Sequence, residues 1–81
     1  MQGTVLFFAQ VREQMGAASA AWELPQGSCV QDLLTSLEAS HPGIRALRPH
    51  LAVAMNGELV RGDTELVQGA EMALLPPVSG G

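Results

Sequence analysis

The sequence predicts a small α+β protein in which one main helix packs on a mixed sheet of about five strands, followed by an extended C-terminal tail. Three observations support this fold class. The chain has one clear amphipathic helical pattern, several short apolar segments between turn signals, and a last apolar segment that stops at two prolines. Its 81 residues suffice for one domain. We therefore assign residues 1–75 to the domain and residues 76–81 to a flexible tail.

The first strand is predicted at residues 3–9 (GTVLFFA), a segment rich in β-branched and aromatic side chains. Because side chains alternate along a strand, this segment is apolar on both faces. One face carries Val5, Phe7 and Ala9, and the other carries Thr4, Leu6 and Phe8. Two apolar faces indicate that the rest of the domain or a partner covers the second one.

The chain then returns to the sheet through a short helix. Residues 10–16 predict one or two helical turns that end at a glycine cap, Gly16. Residues 19–25 predict a second strand, which Pro25 terminates and in which Trp22 and Leu24 share a face. Two strands therefore precede the main helix.

The main helix is predicted to begin after Ser28, which we interpret as its N-cap. Gln31 follows three residues later, which is the spacing of a capping box. Apolar residues then recur at the spacing of one helical face: Val30, Leu33, Leu34 and Leu37. Residues 41–43 (HPG) end the helix, whose length of about thirteen residues corresponds to roughly 20 Å. One stripe of this helix is expected to pack on the sheet.

A strand is predicted at residues 51–55, after an irregular connection at residues 44–50. Large and small side chains alternate along it, so its larger side chains should face the helix: Leu51, Val53 and Met55. This alternation is typical of a strand with one buried face.

Asn56-Gly57 is the strongest hairpin signal in the chain, because both central positions of a type I′ turn need a positive φ. Residues 58–60 return from this turn, and residues 70–75 form the last strand. One long helix among these strands is typical of a roll of the ubiquitin-like, or β-grasp, type.

Composition excludes two classes of partner. Eight acidic residues face four basic ones, and the net charge of −4 argues against nucleic acid and anionic membrane surfaces. All four basic residues are arginines, so an activated C-terminal acyl group would meet no lysine in its own chain. The single cysteine and the lack of a leader or a long apolar run favour a cytoplasmic location without membrane attachment.

The sequence shows no catalytic or metal-binding motif. Cys29, His41 and His50 lack the spacing of metal ligands, and Cys29 has no base near it in sequence. No glycine-rich phosphate loop precedes a helix, so we expect this chain to bind no cofactor. The C-terminal carboxylate of Gly81 is the one group with an evident route to chemistry.

The tail is long enough, and its side chains small enough, to carry a reactive C-terminal carboxylate into another protein. Pro76 and Pro77 stop strand pairing and extend the chain. The last four residues add little side-chain bulk: Val78, Ser79, Gly80 and Gly81. Five extended residues from Pro77 reach roughly 17 Å, enough to enter another protein's active site. A terminal Gly-Gly alone is equally compatible with a frayed chain end.

Residues 5–13 (VLFFAQVRE) and residues 74–81 (LLPPVSGG) together resemble the small subunit of molybdopterin synthase, a ubiquitin-like sulfur carrier. The order of elements matches along essentially the whole chain. The related sulfur carrier of thiamine biosynthesis shares the Gly-Gly end but lacks the Pro-Pro pair. Leu74 and Leu75 stand where this family often has aromatic residues, a difference that bears on partner fit rather than on tail chemistry.

The resemblance implies a non-catalytic subunit that carries sulfur. An E1-like adenylyltransferase would adenylate the Gly81 carboxylate with ATP, and sulfur would then replace AMP to leave a C-terminal thioglycine. The tail would enter the large catalytic subunit, where the sulfur passes to a cyclic pyranopterin monophosphate in molybdenum cofactor biosynthesis. The catalytic residues are expected on that large subunit, within a heterotetramer.

The resemblance also implies that one apolar face docks both partners. We assign this interface to Leu6 and Phe8 of the first strand, together with Leu59 and Leu75. Two other functions remain open: a carrier for thiamine or another thiolation pathway, and a ubiquitin-like modifier that attaches Gly81 to lysines of target proteins. A plain interaction module would use only the sheet face and would keep its activity without Gly81.

Overall fold

The computed structural model describes residues 1–77, and these form the predicted arrangement of one main helix on a five-stranded sheet. The strands are β1 (Gln2–Phe7), β2 (Ser19–Glu23), β3 (Ala52–Met55), β4 (Glu58–Val60) and β5 (Glu71–Leu75). The helices are α1 (Ala9–Met15) and α2 (Val30–Ser40), and two 3₁₀ turns, Pro42–Ile44 and Arg48–His50, connect α2 to β3. Neither α-helix within residues 1–77 has the length and apolar character needed to cross a membrane.

The last strand in sequence is the central strand of the sheet, whose order is β2-β1-β5-β3-β4. β5 pairs in parallel with β1 and antiparallel with β3, and the remaining pairs are antiparallel. Leu74 of β5 lies opposite both Phe7 of β1 and Val53 of β3. The chain therefore leaves the sheet from its middle, directly after Leu75, where the predicted tail begins.

The core lies between the two helices and one face of the sheet. The sheet contributes Val5, Phe7, Trp22, Val53, Met72 and Leu74, and the helices contribute Val11, Met15, Val30, Leu33 and Leu34. Leu37, Leu51 and Met55 are half-buried and pack against this core. The predicted stripe of the main helix and the predicted inward residues of residues 51–55 are thus confirmed.

Trp22 fastens the β1–β2 pair to the start of β5. Its buried indole N–H donates to the Ala70 carbonyl oxygen at 3.1 Å, and the Thr4 backbone N–H donates to the same oxygen at 3.2 Å. A Cβ atom at Gly3 would overlap both that oxygen and the indole ring. Glycine is therefore required at this position for β1 to approach the tryptophan so closely.

The first strand ends earlier than predicted, at Phe7 instead of Ala9. Phe8 is the N-cap residue of α1, and Ala9 opens the helix with a φ of 48°. This left-handed conformation is uncommon for a residue other than glycine, so nothing in the sequence signals it. The prediction that Ala9 shares the inward face of Val5 and Phe7 was therefore wrong. The predicted end of the short helix at Gly16 is confirmed.

The main helix begins one residue later than predicted, and its capping box is made by a different pair. The N-cap residue is Cys29 instead of Ser28, and the Asp32 carboxylate accepts from the Cys29 backbone N–H at 2.8 Å. The next two N–H groups, of Val30 and Gln31, donate to the carbonyls of Thr64 and Gly62, each at 2.9 Å. These long-range bonds determine where α2 starts.

Replacing Asp32 with asparagine should lower the melting temperature at neutral pH. The hydrogen bond from the Cys29 backbone N–H holds the pKa of the Asp32 carboxyl below its ordinary value of 3.8. A carboxyl whose pKa is lowered in the folded state stabilises the fold above its unfolded-state pKa, and this contribution is lost as the pH falls through the folded-state value. The difference between parent and Asp32→Asn should therefore shrink in melting curves recorded below pH 3.8. A difference that stays constant at low pH would contradict this origin.

The predicted hairpin at Asn56-Gly57 is confirmed, with φ values of 51° and 86°. Asn56 also fastens the turn to β5, because its Oδ1 accepts from the Glu71 backbone N–H at 2.9 Å. The Asn56 backbone N–H donates in turn to the Glu71 carbonyl oxygen at 2.8 Å. Asparagine thus serves both the turn geometry and the neighbouring strand.

Replacing Gly57 with valine should destabilise the domain by about 1–2 kcal/mol, because a β-branched residue is forced to a positive φ. A Cβ atom at Gly57 meets nothing within 4 Å, so the backbone alone causes this loss. Chemical denaturation measures it, and Gly57→Asn is the matched control because asparagine tolerates this conformation. Equal losses in both variants would show that the side chain, and not φ, is responsible.

Candidate functional site

The face of the sheet that points away from the core carries two of the three large apolar side chains that are exposed among the described residues, Phe8 and Leu59. Both helices place their buried residues on the opposite side, within the core. We call this second side the open face. Its apolar side chains come from four neighbouring strands: Leu6, Ala73, Leu75, Ala52, Ala54 and Leu59. Phe8 extends it past the end of β1.

One straight row of side chains crosses the open face from β1 to β4. Leu6 lies opposite Ala73, Ala73 lies opposite Ala54, and Ala54 lies opposite Leu59. Three strand spacings separate the two leucines, or roughly 14 Å. Because the two central residues are alanines, the surface of the row is a shallow depression between two leucine side chains. Such a surface suits a partner that inserts an apolar side chain over the alanines.

A second row lies beside the first at the end of the sheet from which the tail leaves. Leu75 is paired with Ala52 of β3, and Phe8 follows the Phe7–Leu74 pair on the side of β1. Phe8 and Leu59 are exposed by 44% and 72%, values high for large apolar side chains, whereas Leu6 and Leu75 are half-buried. The open face thus brings together all four residues that the sequence analysis assigned to a partner interface.

The opposite end of the open face is polar. Thr4 of β1 lies opposite both Ala21 of β2 and Glu71 of β5. Gln2 lies opposite Glu23, and all of these side chains are exposed. The apolar area is therefore confined to the half of the open face nearest to the tail.

The tail begins at the edge of this apolar half. Pro76 is half-buried and Pro77 is exposed, directly after Leu75. The remaining tail residues of the predicted site lie outside the described residues: Val78, Ser79, Gly80 and Gly81. Leu75 of the open face and the start of the tail are thus consecutive in the chain, so a protein that binds the open face is held beside the start of the tail.

The described residues contain no cluster of possible metal ligands. Within residues 1–77, no three His, Cys, Asp or Glu side chains come together as metal ligands would. Arg48 instead forms an ion pair with Glu38, with Nη1 at 2.9 Å from Oε2. Arg45 lies at 3.5 Å from the same carboxylate and is largely exposed. These charges stabilise the connection between α2 and β3 rather than forming a site.

The central alanines of the open face were missed by the sequence analysis. Ala54 and Ala73 are small and carry no strong pattern of their own. The signal that could have found them is the alternation of large and small residues along the strands that contain them, because the small positions necessarily face away from the core. Only the strand order, however, places them side by side.

The sequence also matches a known family. The match covers residues 5–81, which is nearly the whole chain and includes the entire tail. This chain belongs to the ThiS family.

Two curated relatives match the chain along its whole length. The chain is 39% identical over 83 residues to the molybdopterin synthase sulfur carrier subunit of Chlamydomonas reinhardtii, with all of both chains covered. It is 36% identical over 92 residues to small archaeal modifier protein 3 of Haloferax volcanii, again with all of both chains covered. The chain is thus similar both to a protein named as a sulfur carrier subunit and to a protein named as a modifier.

A solved structure confirms the fold. The crystal structure of SAMP1 from Haloferax volcanii superposes with a TM-score of 0.88 at 29% sequence identity, and the comparison covers both chains completely. The ubiquitin-like β-grasp fold predicted from the sequence is therefore confirmed for residues 1–77.

Proposed function

We propose that this chain is the sulfur carrier subunit of a molybdopterin synthase. The observation that carries the proposal is the identity of 39% to a protein of that name along the whole length of both chains. The geometry supports it, because the open face and the start of the tail share the central strand β5. When a partner binds this face, the tail of residues 76–81 would be able to carry Gly81 into the active site of that partner.

In this proposal the reactive group is the Gly81 carboxylate. A carboxylate is a poor acyl electrophile until one oxygen becomes a good leaving group. An E1-like adenylyltransferase supplies this by joining the carboxylate to AMP, with release of pyrophosphate from ATP. A sulfur nucleophile at the oxidation level of hydrosulfide then attacks the acyl carbon, AMP departs, and loss of a proton leaves the thiocarboxylate, a C-terminal thioglycine. Glycine has no Cβ atom to obstruct this attack.

The thiocarboxylate then donates its sulfur to a cyclic pyranopterin monophosphate in the large catalytic subunit. The carrier supplies positioning in this step, because a tethered donor reacts as an intramolecular group does. The catalytic residues belong to the large subunit, and we propose a heterotetramer that contains two copies of each chain. Because the activation consumes ATP, we propose that this protein is located in the cytoplasm.

Intact-mass measurement tests this function directly. The chain is incubated with its E1-like enzyme, ATP and a sulfur source, and we expect a product in which one oxygen of the Gly81 carboxylate is replaced by sulfur. Adding the large subunit and the cyclic pyranopterin should return the mass to that of the carboxylate. Omission of ATP is the control. A mass that stays unchanged with all components present would overturn the proposal.

A second candidate function is protein modification, which the identity of 36% to a small archaeal modifier protein favours. In that case the activated Gly81 would form an amide with lysines of other proteins, and affinity purification from cells would yield adducts of higher mass. A sulfur carrier for thiamine or another thiolation pathway would instead yield the thiocarboxylate without these adducts, and with no requirement for the large subunit.

A further inference from the structure

The strand β2 forms one edge of the sheet and pairs with β1 alone. Its five residues, Ser19–Glu23, include two adjacent alanines and carry a single charge, at Glu23. The other edge strand, β4, is only three residues long. Natural edge strands are usually blunted by lysine, proline or a bulge, and β2 contains none of these. It is therefore the edge of the described sheet that is most open to pairing with another strand.

Three residues of β2 point their backbone hydrogen-bonding groups away from β1. The Phe7 N–H donates to the Ala18 carbonyl, and the Leu24 N–H donates to the Met1 carbonyl, each at 2.9 Å. Hydrogen-bonded pairs alternate in an antiparallel ladder, so Ala20 and Trp22 also face β1. The N–H and C=O groups of the intervening residues face outward: Ser19, Ala21 and Glu23.

We propose that β2 pairs antiparallel with β2 of a second copy of this chain, with the two-fold axis at Ala21. In this register Ala21 lies opposite its own counterpart, and Ser19 lies opposite Glu23 of the second copy. Each of these pairs exchanges two backbone hydrogen bonds, so all six outward groups of each strand find partners. The two five-stranded sheets become one continuous sheet.

In this register, the side chains of β2 are complementary to those of β2 in the second copy. On the open face, each Ser19 hydroxyl can donate to the Glu23 carboxylate opposite to it, and no two like charges are paired. On the other face, the small Ala20 lies opposite the bulky Trp22 of the second copy. The two Glu23 side chains lie roughly 13 Å apart along the strand, beyond the screening length at physiological salt.

The dimer leaves the candidate site accessible. β2 is separated from β5 by β1, so the row from Leu6 to Leu59 and the start of the tail lie outside the paired strands. A single pair of strands buries less surface than stable dimers usually do. The dimer is therefore weak, depends on concentration, and can form independently of the proposed sulfur transfer.

Two substitutions at the exposed Ser19 test the charge arrangement with opposite signs. Ser19→Lys places a cation opposite Glu23 of the second copy, and Ser19→Glu places an anion there. In sedimentation equilibrium over a concentration series, Ser19→Lys should tighten the dimer by roughly three- to tenfold, because the symmetry creates two such pairs. Ser19→Glu should abolish it. A parent that stays monomeric at millimolar concentration, or two variants that respond alike, would overturn the proposal.

Cysteine cross-linking tests the register, in a Cys29→Ser background that removes the single native thiol. The Cα atoms of the two Ala21 residues would be about 5.5 Å apart, within disulfide range, whereas those of the two Ser19 residues would be roughly 13 Å apart. Ala21→Cys should give a disulfide-linked dimer under mild oxidation, and Ser19→Cys, which is also exposed, should not. No cross-link at Ala21→Cys, or equal cross-linking of both, would contradict the two-fold axis at Ala21. Unchanged melting curves confirm that both variants fold.

Discussion

We expect a chain extended by one alanine after Gly81 to melt like the parent and to bind its large subunit, but to form neither thiocarboxylate nor molybdopterin. The last core residue of the described chain is Leu74, so a change after Gly81 leaves the core intact. The added residue moves the reacting carboxyl carbon by about 3.5 Å and places a methyl group beside it. That displacement exceeds what a near-attack geometry tolerates.

Deleting Gly81 should have the same outcome, because it shortens the tail by the same step. Thiocarboxylate is measured by intact mass and molybdopterin by its formation in the reconstituted synthase. An extended chain that remains fully active without being trimmed back would contradict the assignment of Gly81 as the reactive residue. Loss of binding to the large subunit in either variant would show that the tail, and not the open face, provides most of the affinity.

The second large effect is expected at Phe8. Replacing it with aspartate should weaken binding of the proposed protein partner by more than about 2 kcal/mol, the loss typical of a hot-spot residue. The melting temperature should hardly change, because Phe8 is 44% exposed. Phe8 also occupies the N-cap position of α1, where its carbonyl accepts from the Val11 backbone N–H at 3.0 Å. Aspartate is among the preferred residues at that position.

Val67→Asp is the matched control for Phe8→Asp. Val67 is exposed by 47%, nearly as much as Phe8, but it precedes β5 and lies near the opposite end of the sheet from the tail. Titration calorimetry with the partner should show normal binding for this variant. Equal losses for both variants would mean that the partner does not bind specifically at the apolar half of the open face. Unfolding of Phe8→Asp would mean that Phe8 belongs to the core.

Most of the fold could be predicted because its signals are local. The alternation of residues 51–55, the turn at Asn56-Gly57 and the stripe of the main helix each need only a few neighbouring residues. The start of the main helix could not be predicted in this way. Ser28 with Gln31 and Cys29 with Asp32 share the same capping spacing, and bonds to residues 62–64, more than thirty positions away, decide between them.

The large residues of the candidate site could be predicted from the sequence, but its small residues could not. Phe8 stood out because the two-sided first strand indicated a second apolar face, and Leu59 was added to that face with the help of the resemblance. Ala54 and Ala73 gave no such indication. Their position side by side comes from the strand order, which places the last strand between the first and the third. Parallel pairing of the first and last strands depends on contacts across the whole domain.

The fluorescence of the hydrogen-bonded Trp22 reports directly on whether the domain is folded. Trp22 is the only tryptophan, and the chain has no tyrosine, so its emission arises from one defined place. Unfolding breaks its contact with Ala70 and exposes the indole to water, which shifts the emission to longer wavelength. The reporter lies beside the start of β5, a strand's length or roughly 17 Å from the start of the tail. Intrinsic fluorescence therefore distinguishes a carrier that has lost its fold from one that has lost only its terminal chemistry.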